Sequence, residues 1–272
     1  MIELFSEAMG SEISVFNINA ANTLVDNVVS SVSIAKSIHP AMRAKPHIMK
    51  IETGIPNWST LPIFMGVFLS YDMPESIDQL ISGMPMTQKN PTKANVQIAE
   101  IPFAHGAERK AFYGRDFTSN TDIVLKEYIE SNTDSVLSIV TKPGEKRYMS
   151  CERRYGADCK YLRFSNNADY EMLECTCQVN NLKFDVVEQL MAFSHWTYQI
   201  SRGYLMVVDL QGIISTDESG RKTLELTDPA IHCKDLTRFS RTNWGLEGMK
   251  TFFGRHVCNK FCHAMELEPT VL

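Results

Sequence analysis

The chain has 272 residues, 44% apolar and 22% charged, with a net charge of −5 at neutral pH. That is an ordinary soluble composition, long enough for one or two domains with a sizeable core. The acidic balance and the absence of any Lys/Arg run exclude general nucleic-acid binding, and the longest apolar stretch, Leu61–Leu69, is too short to span a membrane.

The N-terminus is acidic and lacks the basic flank of a secretory signal. Residues 1–90 carry no chemical motif and read as an extension of unknown role. Within them Thr23–Ala35 allows a helix, and Pro62–Tyr71 a strand or buried turn. Met84–Lys93, polar and punctuated by prolines, reads as a linker. Val96–Phe103, Arg109–Tyr113 and Ile123–Tyr128 then read as three strands of a small antiparallel sheet, with turns at Gly106 and Thr118–Thr121. A mixed region follows Lys142-Pro143-Gly144. Phe184–Tyr198 predicts a helix with Val187, Leu190, Met191 and Ser194 on one face. Tyr204–Leu210 is an apolar run containing one aspartate, the pattern of a buried strand. Gly245–Phe253 and Cys258–Met265 read as two closing helices.

The chemistry concentrates late. His256, Cys258 and Cys262 have metal-ligand spacing, and on a helix the two cysteines share a face at i and i+4. Zinc takes four nitrogen or sulfur ligands, so a fourth must come from elsewhere: His195, His232, Cys233 and His263 are the candidates. Seven cysteines, an odd number without regular spacing, read as reduced thiols with a few committed to metal, which points to the cytosol. Asp209 closes the buried run, and alternation puts Gln211 on its side. Asp228, nineteen residues on, ends a second short apolar segment. Two carboxylates and an amide oxygen suit a hard cation such as magnesium, although Asp228 before Pro229 also fits the cap of a turn or helix. Arg109 and Lys126, on neighbouring strands, suit a phosphate chain, or else are solvated surface cations. The polar loop Phe239–Gly248 offers itself to phosphate or peptide, or is an ordinary connection.

Taken in order, IPFAHGAERKAF, DIVLKEY, AFSHWTYQISRGYLMVVDLQG, LTDPAIHC, TNWGLEGMKTFF and HVCNKFC resemble the alpha-kinases, the atypical protein kinases, from about Ala94 to Leu267. The resemblance implies an α+β, two-lobed, protein-kinase-like fold over residues 91–272, with a small lobe to about 150, a large lobe beyond it, and a structural zinc site in the C-terminal lobe. It implies transfer of the ATP gamma-phosphate to a serine or threonine of a protein substrate, with ATP, Mg2+ and structural Zn2+ as cofactors. Asp209 would be the catalytic aspartate. Lys126 and Arg109 would face the phosphates, and Gln211 and Asp228 would hold magnesium. Glu152 would be the nucleotide-hinge acid, with Glu174 competing, and the asparagine-rich stretch Tyr161–Tyr170 favours Glu152. His195, His256, Cys258 and Cys262 would be the zinc set. Two departures stand out. Only 26 residues separate Lys126 from Glu152, and Ser240 and Thr242 stand where small residues are expected. The rival expectation is a pseudokinase of the same fold, acting as a zinc-stabilised binding module. A zinc hydrolase is excluded, because four protein ligands leave no position for water.

Overall fold

The β-branched and aromatic alternation of the first half forms strands that close on themselves. In the computed structural model, residues 49–50, 54–70, 72, 76–83, 87–106, 109–128, 137–142, 145–156, 159–216, 222–239 and 241–272 are described. The segment Thr23–Ala35, residues 84–86 of the expected linker, and Ser240 lie outside them. The chain divides into two units, the first holding the described residues of 49–72 and 87–155, the second those of 76–83 and 156–272.

The first unit contains β1 (Met49–Lys50), β2 (Phe64–Phe68), β3 (Thr92–Ile98), β4 (Ala104–His105), β5 (Arg109–Asp116), β6 (Thr121–Tyr128), β7 (Leu137–Lys142) and β8 (Glu145–Arg153). The antiparallel order β5-β3-β2-β7-β8-β6 returns to β5, so six strands form a closed barrel, and β4 and β1 extend from β5. Closure removes the free edges that would otherwise invite strand pairing with other chains. Side chains of one parity fill the interior: Val96, Phe112, Leu125, Ile139 and Met149 are buried together. Arg147 makes two 2.7 Å hydrogen bonds to the Glu127 carboxylate and stands 5.4 Å from the centre of the Phe112 ring.

Of the three strands expected here, β5 and β6 match Arg109–Tyr113 and Ile123–Tyr128, whereas β3 shares only Val96–Ile98 with the expected Val96–Phe103 and begins inside the expected linker. β2 takes the strand alternative given for Pro62–Tyr71, and its pairing corrects the expected organisation. β2 comes from the stretch before residue 90 and pairs with both β3 and β7. A division near residue 90 is therefore crossed by a ladder, because the apolar run FMGVF needs paired neighbours for its backbone. β7 and β8 form a hairpin inside the expected mixed region, with Lys142 opposite Glu145.

The second unit holds α1 (Ile77–Ser82), β9 (Lys160–Arg163), α2 (Glu174–Val179), α3 (Asp185–Ile200), β10 (Leu205–Val208), β11 (Gln211–Thr216), β12 (Lys222–Leu226), β13 (Ala230–Cys233), α4 (Gly245–Phe253) and α5 (Lys260–Ala264). β11 lies between β12 and β9, and β10 pairs with β13. The middle of α3, Leu190–Thr197, is buried on every side, so this helix is the axis of the unit. Leu80 of α1, from the stretch before residue 90, joins the same core. No helix among the described residues is long and apolar enough to cross a membrane.

Candidate functional site

The most concentrated chemistry lies where α3 meets the C-terminal turns. The ligand atoms of His195, His256, Cys258 and Cys262 all lie within 4.8 Å of one another. Cys258 Sγ is 3.8 Å from His195 Nδ1, and Cys262 Sγ is 3.4 Å from His256 Nε2. His195 turns its other nitrogen to the Glu268 carbonyl at 3.1 Å. A carbonyl only accepts, so Nε2 carries the hydrogen and Nδ1 presents a lone pair to the sulfurs. Burial lowers the pKa of His195, and burial with the neighbouring His195 takes His256 down to about 4, so both rings favour the neutral form a metal needs. Burial pushes the Cys262 thiol up to about 11. Two thiolates here need a cation, and the donor set fits a metal ion.

The local helix differs from its expectation. α5 begins at Lys260, because the Asn259 side chain accepts the N–H groups of Phe261 (2.9 Å) and Cys262 (3.2 Å) and sets the cap there. Cys258 thus precedes the helix, and the shared-face argument does not bring the sulfurs together. The turn before the cap does. The tail is also tied to α3 by Asn259 Nδ2 to the Glu188 carbonyl (2.8 Å), Lys260 to Asp185 (2.7 Å) and the Glu268 N–H to Gln199 (2.9 Å).

A second constellation sits between β10 and β13. Asp209, at φ +56, and Asp228, at φ +55, both adopt the left-handed backbone that aspartate tolerates better than most residues. Asp209 therefore lies just past its strand, not within it. Gln211 Nε2 donates to Asp209 Oδ2 at 3.3 Å and to the Asp228 carbonyl at 3.2 Å, so one amide joins the two aspartate positions. Both amide hydrogens are then used, and Oε1 is left as the acceptor. Gly212, next along, has no room for a side chain, because a Cβ there would overlap the Glu225 carbonyl on β12. Of the cap alternatives for Asp228 the helix fails, since Pro229 leads into β13 and Asp228 lies at the bend between β12 and β13. Sequence reasoning missed Arg163, whose Nη2 lies 3.0 Å and 3.1 Å from the two Asp209 carboxylate oxygens. The available signal was a cation three residues before Asn166-Asn167.

In the barrel, Lys126 Nζ is 2.7 Å from Glu152 Oε1. Ala111 and Ser150 lie opposite Lys126, and Val124 lies opposite Glu152, so Arg109, Lys126 and Glu152 point to one face. The barrel thus gathers these three, and the second unit gathers Asp209, Gln211 and Asp228. Glu174, the competing hinge acid, opens α2 in the second unit.

The loop before α4 is more closed than its polarity suggests. Asn243 Oδ1 accepts from the N–H groups of Cys233 and Gly245, both at 2.8 Å, and Nδ2 donates to the carbonyls of Asp235 (2.9 Å) and Arg238 (2.8 Å). This carboxamide fastens the loop and has nothing left for a phosphate.

Residues 133–262 match the model of the alpha-kinase family. Alpha-protein kinase vwkA of Dictyostelium discoideum is 28% identical over 242 residues, 78% of this chain and 37% of the relative. Eukaryotic elongation factor 2 kinase of Mus musculus is 28% identical over 217 residues, 64% of this chain and 27% of the relative. The chain thus spans well under half the length of these curated relatives. Among solved structures, an alpha kinase from Entamoeba histolytica superposes with a TM-score of 0.58 at 19% identity, covering 78% of this chain and 94% of the other. The alpha-kinase domain of myosin heavy chain kinase A in complex with ADP gives 0.55 at 18% identity, covering 77% and 98%. At these identities the structural likeness speaks to the fold alone, and the fold is that of the alpha-kinases.

Proposed function

We propose that the chain, which matches the alpha-kinase family model over residues 133–262 and is 28% identical to an alpha-protein kinase over 242 residues, is an ATP-dependent protein kinase that moves the gamma-phosphate to a serine or threonine hydroxyl. The observation that carries this reading is the Gln211 amide joining Asp209 to Asp228, with Arg163 on the Asp209 carboxylate. Asp209 receives or orients the substrate hydroxyl. Arg163 keeps that carboxylate ionised and fixed in direction. Gln211 Oε1 and Asp228 offer the oxygen ligands that suit magnesium, which when bound offsets the charge of the transferring phosphate. Lys126 and Arg109 face the ATP phosphates, and Glu152 on β8 serves the nucleotide hinge. Its carboxylate also holds the Lys126 ammonium. Positioning and charge stabilisation supply most of the rate.

The metal of the four-ligand cluster is zinc in this reading. A tetrahedral zinc ion separates its nitrogen and sulfur ligands by about 3.5 Å, and the two nitrogen–sulfur distances are 3.8 Å and 3.4 Å. A closed set of this kind is structural, and its task is to fasten the tail to α3. The seven cysteines, none in a disulfide, suit a reducing compartment and hence the cytosol.

A second reading, a pseudokinase that binds without transferring, draws on the short span from Lys126 to Glu152, only 26 residues. Transfer of labelled phosphate from ATP to a general acceptor protein separates the two. Asp209→Ala is expected to lower the rate by roughly a hundredfold or more. Equal signal from the wild type and the variant would leave the binding module standing.

A further inference from the structure

The mechanism above leaves one buried histidine without a task. His232, on β13, is 1% exposed and outside the metal cluster. Its ring lies between two segments that the sequence keeps far apart. Nε2 is 2.9 Å from the Asn167 carbonyl, and Nδ1 is 3.1 Å from the backbone N–H of Trp244. The partners dictate the tautomer. A carbonyl accepts, so Nε2 is protonated, and an N–H donates, so Nδ1 is a bare lone pair. The imidazole is therefore a neutral two-ended bridge. It stacks on the Trp244 indole at 6.0 Å, and α4 comes so close at Gly248 that a methyl there would overlap the ring.

What the bridge connects is informative. The neighbour of Asn167, Asn166, accepts the backbone N–H of Asp209 at 3.3 Å. The next amide, Leu210 N–H, donates to Ser165 Oγ at 3.0 Å. The 165–167 segment is thus the seat of Asp209. On the other side, Trp244 stands between Asn243, which fastens the loop before α4, and the start of that helix. Asn167 Nδ2 adds a weaker tie to the Thr242 carbonyl at 3.4 Å.

We infer that His232 is a positioning residue, which sets the seat of Asp209 against the loop that opens α4 through one neutral imidazole. The inference rests on the reading of Asp209 as the catalytic aspartate. A ring serves better than an amide here, because its two nitrogens point in opposite directions and its flat face fills the space between Trp244 and Gly248. Removing it leaves the partly buried Asn167 carbonyl and Trp244 N–H without this partner, and the 165–167 segment is released to shift. A displacement of about 1 Å at the reacting group costs on the order of a hundredfold in rate.

The test uses the full chain with His232→Ala. The expected result is a kcat lower by roughly ten- to a hundredfold, with KM for ATP and for the acceptor protein changed little. Added imidazole restores much of the loss, whereas 1-methylimidazole, which accepts but cannot donate, does not. Gly248→Ala presses on the ring without altering it. It should lower kcat in the same selective way, even though alanine is the better helix former. A loss that follows thermal stability and ignores imidazole, or one confined to KM, would overturn the inference. Hydrogen exchange of the Asp209 amide gives a readout independent of activity. Exchange should accelerate in His232→Ala and slow again with imidazole, and an unchanged rate overturns the link. Were the wild type inert while this exchange behaved as expected, the kinase reading would fall and the His232 bridge would remain.

Discussion

The two units use their polar groups in opposite ways. The barrel satisfies its backbone strand to strand around a closed ring, and its ion pairs, Lys126–Glu152 and Arg147–Glu127, are added to a frame that is already complete. The second unit depends on side chains reaching backbone: Asn243 makes four such bonds, His232 two, Gln211 one, and His195 one to the tail. A ladder spreads stability over many equivalent bonds, so losing one side chain costs little. A network of single-residue bridges concentrates it, because each lost bridge strands a buried group.

The sharpest test of that contrast is metal removal. Chelation, or Cys262→Ser, should destabilise the second unit by upwards of about 4 kcal/mol and leave the barrel's strand signal intact. The measurement is a thermal melt followed both by near-ultraviolet dichroism and by exchange of barrel amides. If the barrel and the second unit melt together with unchanged midpoint after chelation, the cluster holds no structural metal.

Acid provides the next test, and its sign follows from burial. Desolvation lowers the His232 pKa from 6.5 to about 4. Between these values the unfolded chain binds a proton that the folded chain refuses. Stability is therefore whole above pH 6.5 and is lost as the pH falls toward 4. The gap of about 2.5 pH units corresponds to about 3 kcal/mol at 1.36 kcal/mol per unit. Stability measured in denaturant at steps between pH 7 and 4 should show this slope in the wild type and a shallower one in His232→Gln. Parallel slopes would mean that His232 is protonated in the folded protein without cost.

The sequence was readable where chemistry and spacing coincide along the chain. HVCNKFC carries three candidate ligands within seven residues, and the family resemblance singled out His195, which α3 brings beside them, as the fourth. The strands β5 and β6, and the end of β3, were visible through alternation. What stayed hidden depended on distance through space. Arg163 and Asp209 are 46 positions apart, and an arginine on a short strand looks the same in sequence whether it faces water or a carboxylate. The loop Phe239–Gly248 left substrate contact and ordinary connection equally open because its polarity looks exposed, yet the four partners of Asn243 include residues 8 and 10 positions away. β7 and β8 went unread although Lys142-Pro143-Gly144-Glu145 between two β-rich runs is itself a hairpin signal. The break placed near residue 90 rested on the lack of motifs before it, but barrel strands need only a pairing partner and no motif.

The smallest expected change in stability is in the barrel, and it is diagnostic for that reason. Lys126 and Glu152 have side chains only 15% and 18% exposed, but their strands are paired in register whether or not the charges meet. Lys126→Ala should therefore cost only about 2 kcal/mol, from the Glu152 carboxylate left unpaired, while weakening phosphate transfer far more, because the ammonium is assigned to ATP and not to the fold. Paired measurements of the melting midpoint and of ATP-analogue affinity decide it. A variant that unfolds would make Lys126 a structural residue, placing the concentrated, single-bridge kind of stability in the barrel as well. A variant that is stable and binds the nucleotide as the wild type does would remove Lys126 from the phosphate site and move the case toward the non-catalytic reading.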